Sequence, residues 1–155
     1  MLDSTTGTLP RDRWFAGTLL RIVADASHTG GALTVMEQRA ASGFSPPLHV
    51  HHREDTALLV LDGTLTVRIG DVESVLAPGG FCWLPRDVAH TFRVDSPEAH
   101  FLEFATPSGI EGFHIDASDP ADAVALPPVT APDVGRLVNA IAPYGADIIG
   151  PPMHH

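Results

Sequence analysis

The chain contains no lysine; all nine of its basic residues are arginines. Schiff-base chemistry on a side-chain amine is thereby excluded. Cysteine is almost absent too. Cys82 stands alone, so no disulfide can close within the chain, and a reducing cytoplasm is the expected compartment. Long apolar runs are missing: Leu19 to Ala24 is already interrupted by Arg21, far short of the roughly 20 residues a membrane helix needs. Met1 to Pro10 is polar, with no basic start leading into an apolar block, so no secretory leader is expected. Basic clusters are lacking as well. Nineteen acidic residues against nine basic ones leave a net charge of -10, and no pair of DNA-reading helices is evident. Nucleic acid is therefore not an expected partner, and the charge reads as a solubility feature.

What is present is material for one core. A chain of 155 residues, 44% hydrophobic, suggests a single domain with one interior. From Trp14 to Thr106 short β-type runs alternate with Gly, Pro and Asp. They include Leu19–Ala24, Ala32–Arg39, Leu48–His51, Ala57–Leu61, Leu65–Ile69, Val72–Leu76, Phe81–Leu84, Ala89–Val94 and His100–Ala105. Turn signals such as Asp62-Gly63 and Gly70-Asp71 separate them. Many short strands at even spacing predict an all-β sandwich or barrel. Residues 1–13 read as a lead-in, 14–106 as the barrel, and 107–155 as an extension. Within the extension, Thr130 is a candidate cap and Pro132 a first-turn residue. Val134, Leu137, Val138 and Ile141 then form one apolar helical stripe, stopped by Pro143 and Gly145. So short a helix needs the barrel or a partner subunit to lie on.

Three of the nine histidines stand together, His49, His51 and His52. On a strand, His49 and His51 share a face and His52 turns away. His90 opens a later strand just after Pro85. A barrel that sets these strands side by side brings three imidazoles to one interior point. Such a site suits one divalent transition metal, Fe, Mn, Ni, Co, Cu or Zn, and leaves positions open for another ligand. His28, His52 and His100 read as surface residues, and His154 and His155 carry no weight.

These residues resemble the motifs of the cupin superfamily. Its first motif is a glycine, five residues, His-x-His, three or four residues, a glutamate, six residues and a glycine. Gly43, His49, His51 and Gly63 fit it. Its second motif is matched by Gly79, Pro85 and His90. The resemblance spans roughly residues 30–106, and the tail from Tyr144 to Pro152 is similar to that of small bacterial cupins related to quercetin dioxygenases. The resemblance implies a double-stranded β-helix, a jelly-roll barrel with a short C-terminal helix, often dimerised through sheet edges, so a homodimer is expected. It also implies a metal on His49, His51 and His90. Three positions depart from the pattern. Thr56 stands where the motif has glutamate, which in quercetinase-like cupins ligates the metal and serves as acid/base. Asp87 replaces a glycine and Val94 an asparagine. Asp55 is one residue out of register and Glu54 further out, and strand parity turns Asp55 outward if Thr56 points in. The default site is three histidines with water, as in the three-histidine iron of cupin thiol, diketone and gentisate dioxygenases.

Side chains sharing a face with these ligands outline a pocket: Leu58 and Val60 with Thr56, Phe92 and Val94 with His90, and Phe44 and Met36 nearby. Walls of this kind suit a small apolar or aromatic molecule. Arg53 and Arg86 lie near the mouth, with a solvated role the simpler one. No catalytic residue is assigned. The functional expectation is a metal-dependent, quercetinase-like dioxygenase. The alternatives are a non-enzymatic metal- or ligand-binding cupin and a metal-dependent isomerase or cyclase acting by Lewis-acid polarisation.

Overall fold

Alternation of inward apolar and outward polar residues produces twelve strands in two facing antiparallel sheets. The computed structural model describes residues 12–130 and 133–154. The strands are β1 (Asp12–Phe15), β2 (Thr18–Ala24), β3 (Thr34–Ala41), β4 (Leu48–His51), β5 (Asp55–Asp62), β6 (Leu65–Ile69), β7 (Val72–Leu76), β8 (Phe81–Leu84), β9 (His90–Val94), β10 (Glu98–Thr106), β11 (Ser118–Pro120) and β12 (Ala146–Gly150). The larger sheet has the order β11-β1-β2-β3-β10-β5-β8 and the smaller β12-β4-β9-β6-β7. This is a double-stranded β-helix. Four strands have the bounds that the alternating pattern predicts, β4, β6, β7 and β8. No helix among the described residues is long and apolar enough to cross a membrane.

Two buried clusters fill the interior. Leu58, Val60, Leu65, Val67, Phe92, Val94 and Phe101 pack between the sheets at one end. Phe15, Leu20, Met36, Ile110, Phe113, Leu137 and Ile141 pack at the other. The second cluster owes much to the residues after Thr106, which do more than the expected single helix. Helix α1 (Ala26–Thr29) precedes β3, and α2 (Glu111–Asp116) and α3 (Val134–Ile141) follow β10. Strands β11 and β12 join one edge of each sheet. Buried Glu111 ties α2 to the barrel, accepting from the Thr34 hydroxyl at 2.7 Å and the Ala26 amide at 3.2 Å.

The extension differs from its sequence reading in detail. Asp133, not Thr130, caps α3, its carboxylate accepting from the Arg136 amide at 3.0 Å. Pro132 lies outside the described residues. Of the apolar stripe, Leu137 and Ile141 are buried, while Val134 and Val138 are about half exposed at 49% and 46%. The helix has only eight residues, so the i, i+4 pair alone reaches the core, and each such side chain contributes about 1.5–3 kcal/mol. The helix stops as expected, with Pro143 in a 3-10 turn and Gly145 left-handed at φ 67°.

Gly63 opens the turn after β5 with φ +84°, and an added Cβ would lie 2.5 Å from the Glu98 carbonyl oxygen and 2.8 Å from the Ala99 Cα. Ser96 Oγ, at 2.6 Å, could turn aside, but the Glu98 and Ala99 backbone could not. Gly63→Ala is expected to lower stability by about 2–4 kcal/mol through strain and overpacking. Urea unfolding checks this as a lower midpoint at an unchanged slope.

Candidate metal centre

Strand β4 lies between β12 and β9 in the smaller sheet, and His49 pairs directly with His90 across the β4–β9 ladder. His51, two residues on, shares the face of His49. Ring centroids are 4.4 Å apart for His49 and His90, 5.1 Å for His49 and His51, and 5.3 Å for His51 and His90. One ligand nitrogen from each lies within 4.8 Å of the other two. The structure thus brings together all three of the histidines singled out from the sequence.

Each ring is oriented by an acceptor on its Nδ1. Pro47 oxygen lies 2.7 Å from His49 Nδ1, Val88 oxygen 3.1 Å from His90 Nδ1, and Glu54 Oε1 2.7 Å from His51 Nδ1. A carbonyl oxygen only accepts, so Nδ1 of His49 and His90 carries the proton and Nε2 keeps its lone pair. The Glu54 carboxylate does the same for His51. Burial, with repulsion from the neighbouring imidazoles, holds His49 well below the ordinary value, and burial pushes His90 down to about 4. The result is three imidazole lone pairs turned toward one small volume. That donor set fits a single divalent transition ion, since imidazole is a borderline ligand suited to several of them.

The position of the motif glutamate is chemically empty. Thr56 is buried at 1% exposure, and its hydroxyl has no hydrogen-bond partner. Asp55 points away, as strand parity requires, its carboxylate taken by the Arg86 amide at 2.8 Å and guanidinium at 3.1 Å. Glu54 sits behind His51, an orienting role that register alone does not reveal. Arg86 is engaged with Asp55 and Arg53 with the Pro143 carbonyl at 2.9 Å, and neither lines the cavity. His52 faces outward, bonded to Asp87 at 2.7 Å and Asp147 at 3.0 Å. His28 pairs with Asp25 and His100 with Glu37. Asp87, at the family's glycine position, takes φ 65°, a conformation aspartate tolerates better than most residues, and its amide donates to the His51 carbonyl at 2.7 Å. Val94 is fully buried.

The imidazoles open onto a cavity of about 710 Å³. Phe44, Leu58 and Phe92 line it, as the strand faces suggested. Met36, Val60 and Val94 do not: they are completely buried in the two clusters, where the inward face of a strand meets packed core instead of open space. The far wall comes from Phe113, Leu126, Val134 and Ile141 of the extension. Polar lining residues that were not singled out from the sequence include Gln38, Glu103 and His114. Glu103 left a legible trace, a carboxylate on the same β10 face as Phe101 and Ala105. His114 left none, because α2 is too short to show a periodicity. Its Nδ1 donates to the Ile110 carbonyl at 3.0 Å, its ring lies 4.7 Å from that of Phe15, and burial pushes it down to about 4.

The family model for the cupin domain matches residues 36–103, the stretch that holds all three imidazoles. The chain carries a cupin domain. Quercetin 2,3-dioxygenase of Bacillus subtilis (strain 168), a curated relative, is 24% identical over 135 residues, which cover 87% of this chain and 40% of the relative. This cupin therefore spans well under half the length of that relative. Among solved structures, KdgF from Halomonas sp. superposes with a TM-score of 0.56 at 21% identity, covering 61% of this chain and 84% of its own. Bacillus subtilis oxalate decarboxylase, whose structure was studied for its Mn(II) centres, gives 0.56 at 19% identity over 63% of this chain and 27% of its own. Likeness at these identities shows the shared fold.

Two outcomes follow from this geometry. Glu54→Ala frees the His51 ring and is expected to weaken metal affinity by about 10–100-fold, measured by competition with a chelating dye. In metal-free protein, His90 and His114 resist protonation until about pH 4, whereas their ordinary value is 6.5. As pH falls through 6.5 the unfolded chain takes up these protons first. Stability is therefore full above pH 6.5 and declines toward pH 4, by on the order of 3 kcal/mol per ring. Urea midpoints of chelator-treated protein across that range check the decline, and His114→Gln is expected to remove one ring's share.

Proposed function

We propose that this cupin is a metal-dependent oxygenase of small apolar or aromatic molecules, related in chemistry to quercetin dioxygenases. One observation carries the reading: three imidazoles, each with an acceptor on its Nδ1, converge at the wall of a roomy, mostly apolar cavity. When bound there, a divalent transition metal supplies a Lewis acid and, if redox-active, an electron partner for dioxygen. The chain supplies the rest. His49, His51 and His90 would hold the ion at the cavity wall. Phe44, Leu58 and Phe92, with Phe113 and Leu137 opposite, exclude water and fit a flat apolar body. The curated relative supports the oxygenase reading over a purely binding role.

The test is metal analysis of the purified protein followed by an oxygen-uptake screen over flavonols, diketones and thiols. Uptake that depends on the metal, and stops in His49→Ala, is the expected result. Conversion of a substrate without oxygen consumption would replace this reading with an isomerase or cyclase. Thr56→Glu is expected to retain a full complement of metal, because the motif spacing puts the family's carboxylate ligand at position 56. Loss of metal from that variant, by elemental analysis, contradicts the placement of Thr56.

A further inference from the structure

The oxygenase reading leaves one chemical need unmet. A site with threonine at position 56 has no acid or base where the family motif places one. The cavity holds a replacement on a different strand. Among the described residues that line it, Glu103 is the one carboxylate. It lies in the middle of β10, opposite Met36 on β3 and Leu58 on β5. Gln38, only 3% exposed, donates from its amide to Glu103 Oε2 at 2.8 Å. A barrel wall has little reason to carry an amide–carboxylate pair facing an apolar space, since burying such a group costs free energy unless its hydrogen-bonding capacity is used. The amide engages one carboxylate oxygen of this cavity-lining residue, and the other, Oε1, has no hydrogen bond from the described residues.

We propose that Glu103, positioned by Gln38, is the proton acceptor of this site, and that its ligands are small apolar molecules bearing one ionisable hydroxyl, a phenol or an enol. The proposal rests on the oxygenase reading for the metal site and adds to it the identity of the base and the substrate class. The step is a simple transfer. The O–H bond of the ligand breaks, its proton passes to Glu103 Oε1, and the electron pair stays on the ligand oxygen. That oxygen is then an anionic donor facing the three imidazoles. Burial raises the Glu103 carboxyl above its ordinary value, which narrows the gap to a weakly acidic hydroxyl. The groups facing it are Gln38 from β3, Leu58 from β5, His51 from β4 and Glu54 from the turn after β4. His51 favours the ionised form and Glu54 opposes it. His49, His90 and His114 share the cavity.

Binding of 4-nitrophenol to zinc-loaded protein tests this without turnover, because zinc has no redox chemistry and the phenolate is coloured. Zinc content is measured first. At a pH one unit below the probe's own ionisation, wild type is expected to bind it as the coloured anion with no net proton released to the buffer. Glu103→Gln, isosteric and still hydrogen-bonding, is expected to keep its zinc but to bind only the tenth of the probe already ionised, so binding weakens about tenfold. It also releases one proton per probe when fully protonated probe is the source. One unit above that ionisation the probe arrives without its proton, so wild type is expected to take one up from the buffer on binding and the variant none. A proton released by wild type itself overturns the proposal, whether or not the variant folds. So does unchanged affinity in zinc-containing Glu103→Gln, or transfer of the tenfold effect to His114→Gln. Wild type that holds no zinc at all overturns the metal-site reading, and the proposal falls with it.

Discussion

The site depends on three hydrogen bonds made on the far side of three rings. Each imidazole has two nitrogens and one proton when neutral, and the protein decides which nitrogen keeps it. The Pro47 and Val88 carbonyls and the Glu54 carboxylate each claim an Nδ1. The opposite nitrogens are left as donors aimed at a common volume. Without those acceptors the rings could flip or protonate, and their clustering would be a liability of like groups packed together. The two carbonyls come from residues two positions before their histidines, so the strand leading into each ligand also orients it.

The rest of the fold serves to hold β4 and β9 side by side and to roof the space above them. The smaller sheet does the first. The second is the work of residues after Thr106, which the cupin domain match does not cover. Helices α2 and α3 form an apolar cluster with Phe15, Leu20 and Met36, closing the barrel end nearest the imidazoles. The cavity is thus a gap between two cores, one made by the sheets and one by the extension. This explains why only some inward-facing residues reach it. Met36, Val60 and Val94 belong to the cores on either side, whereas Phe44, Leu58 and Phe92 stand at the boundary.

Much of this was legible in the sequence, for identifiable reasons. The period-two alternation of Leu65 to Ile69 and the glycine turns fixed several strands to the residue, because half-buried strands leave that pattern. The spacing of His49, His51 and His90 marked the site, since strand parity converts a His-x-His into a shared face. Strands β1, β11 and β12 were not foreseen: β11 and β12 lie at sheet edges, where pairing needs little from sequence, β11 includes Pro120, and on one side β1 is paired only by β11. Glu54 escaped because its role depends on the turn geometry after β4, not on register. Gln38 and Glu103 escaped because the sequence does not say which elements meet across the barrel, although parity puts Glu103 on the face of Phe101 and Ala105, and His114 because α2 is too short to show a periodicity. Asp87 was seen as a departure from glycine, and its φ of 65° shows that the backbone conformation was kept while the residue changed.

Strand β12 has a consequence for how the molecule can be divided. It is hydrogen-bonded along β4, with Ala146 opposite His51 and Ile148 opposite His49. The strand that bears two of the three ligands is therefore an inner strand only because the far end of the chain returns to flank it. Residues 36–103 cut out on their own would leave β4 with a bare row of amides and carbonyls beside the imidazoles, open to water or to another chain. The smallest fragment able to keep the centre intact extends through Gly150.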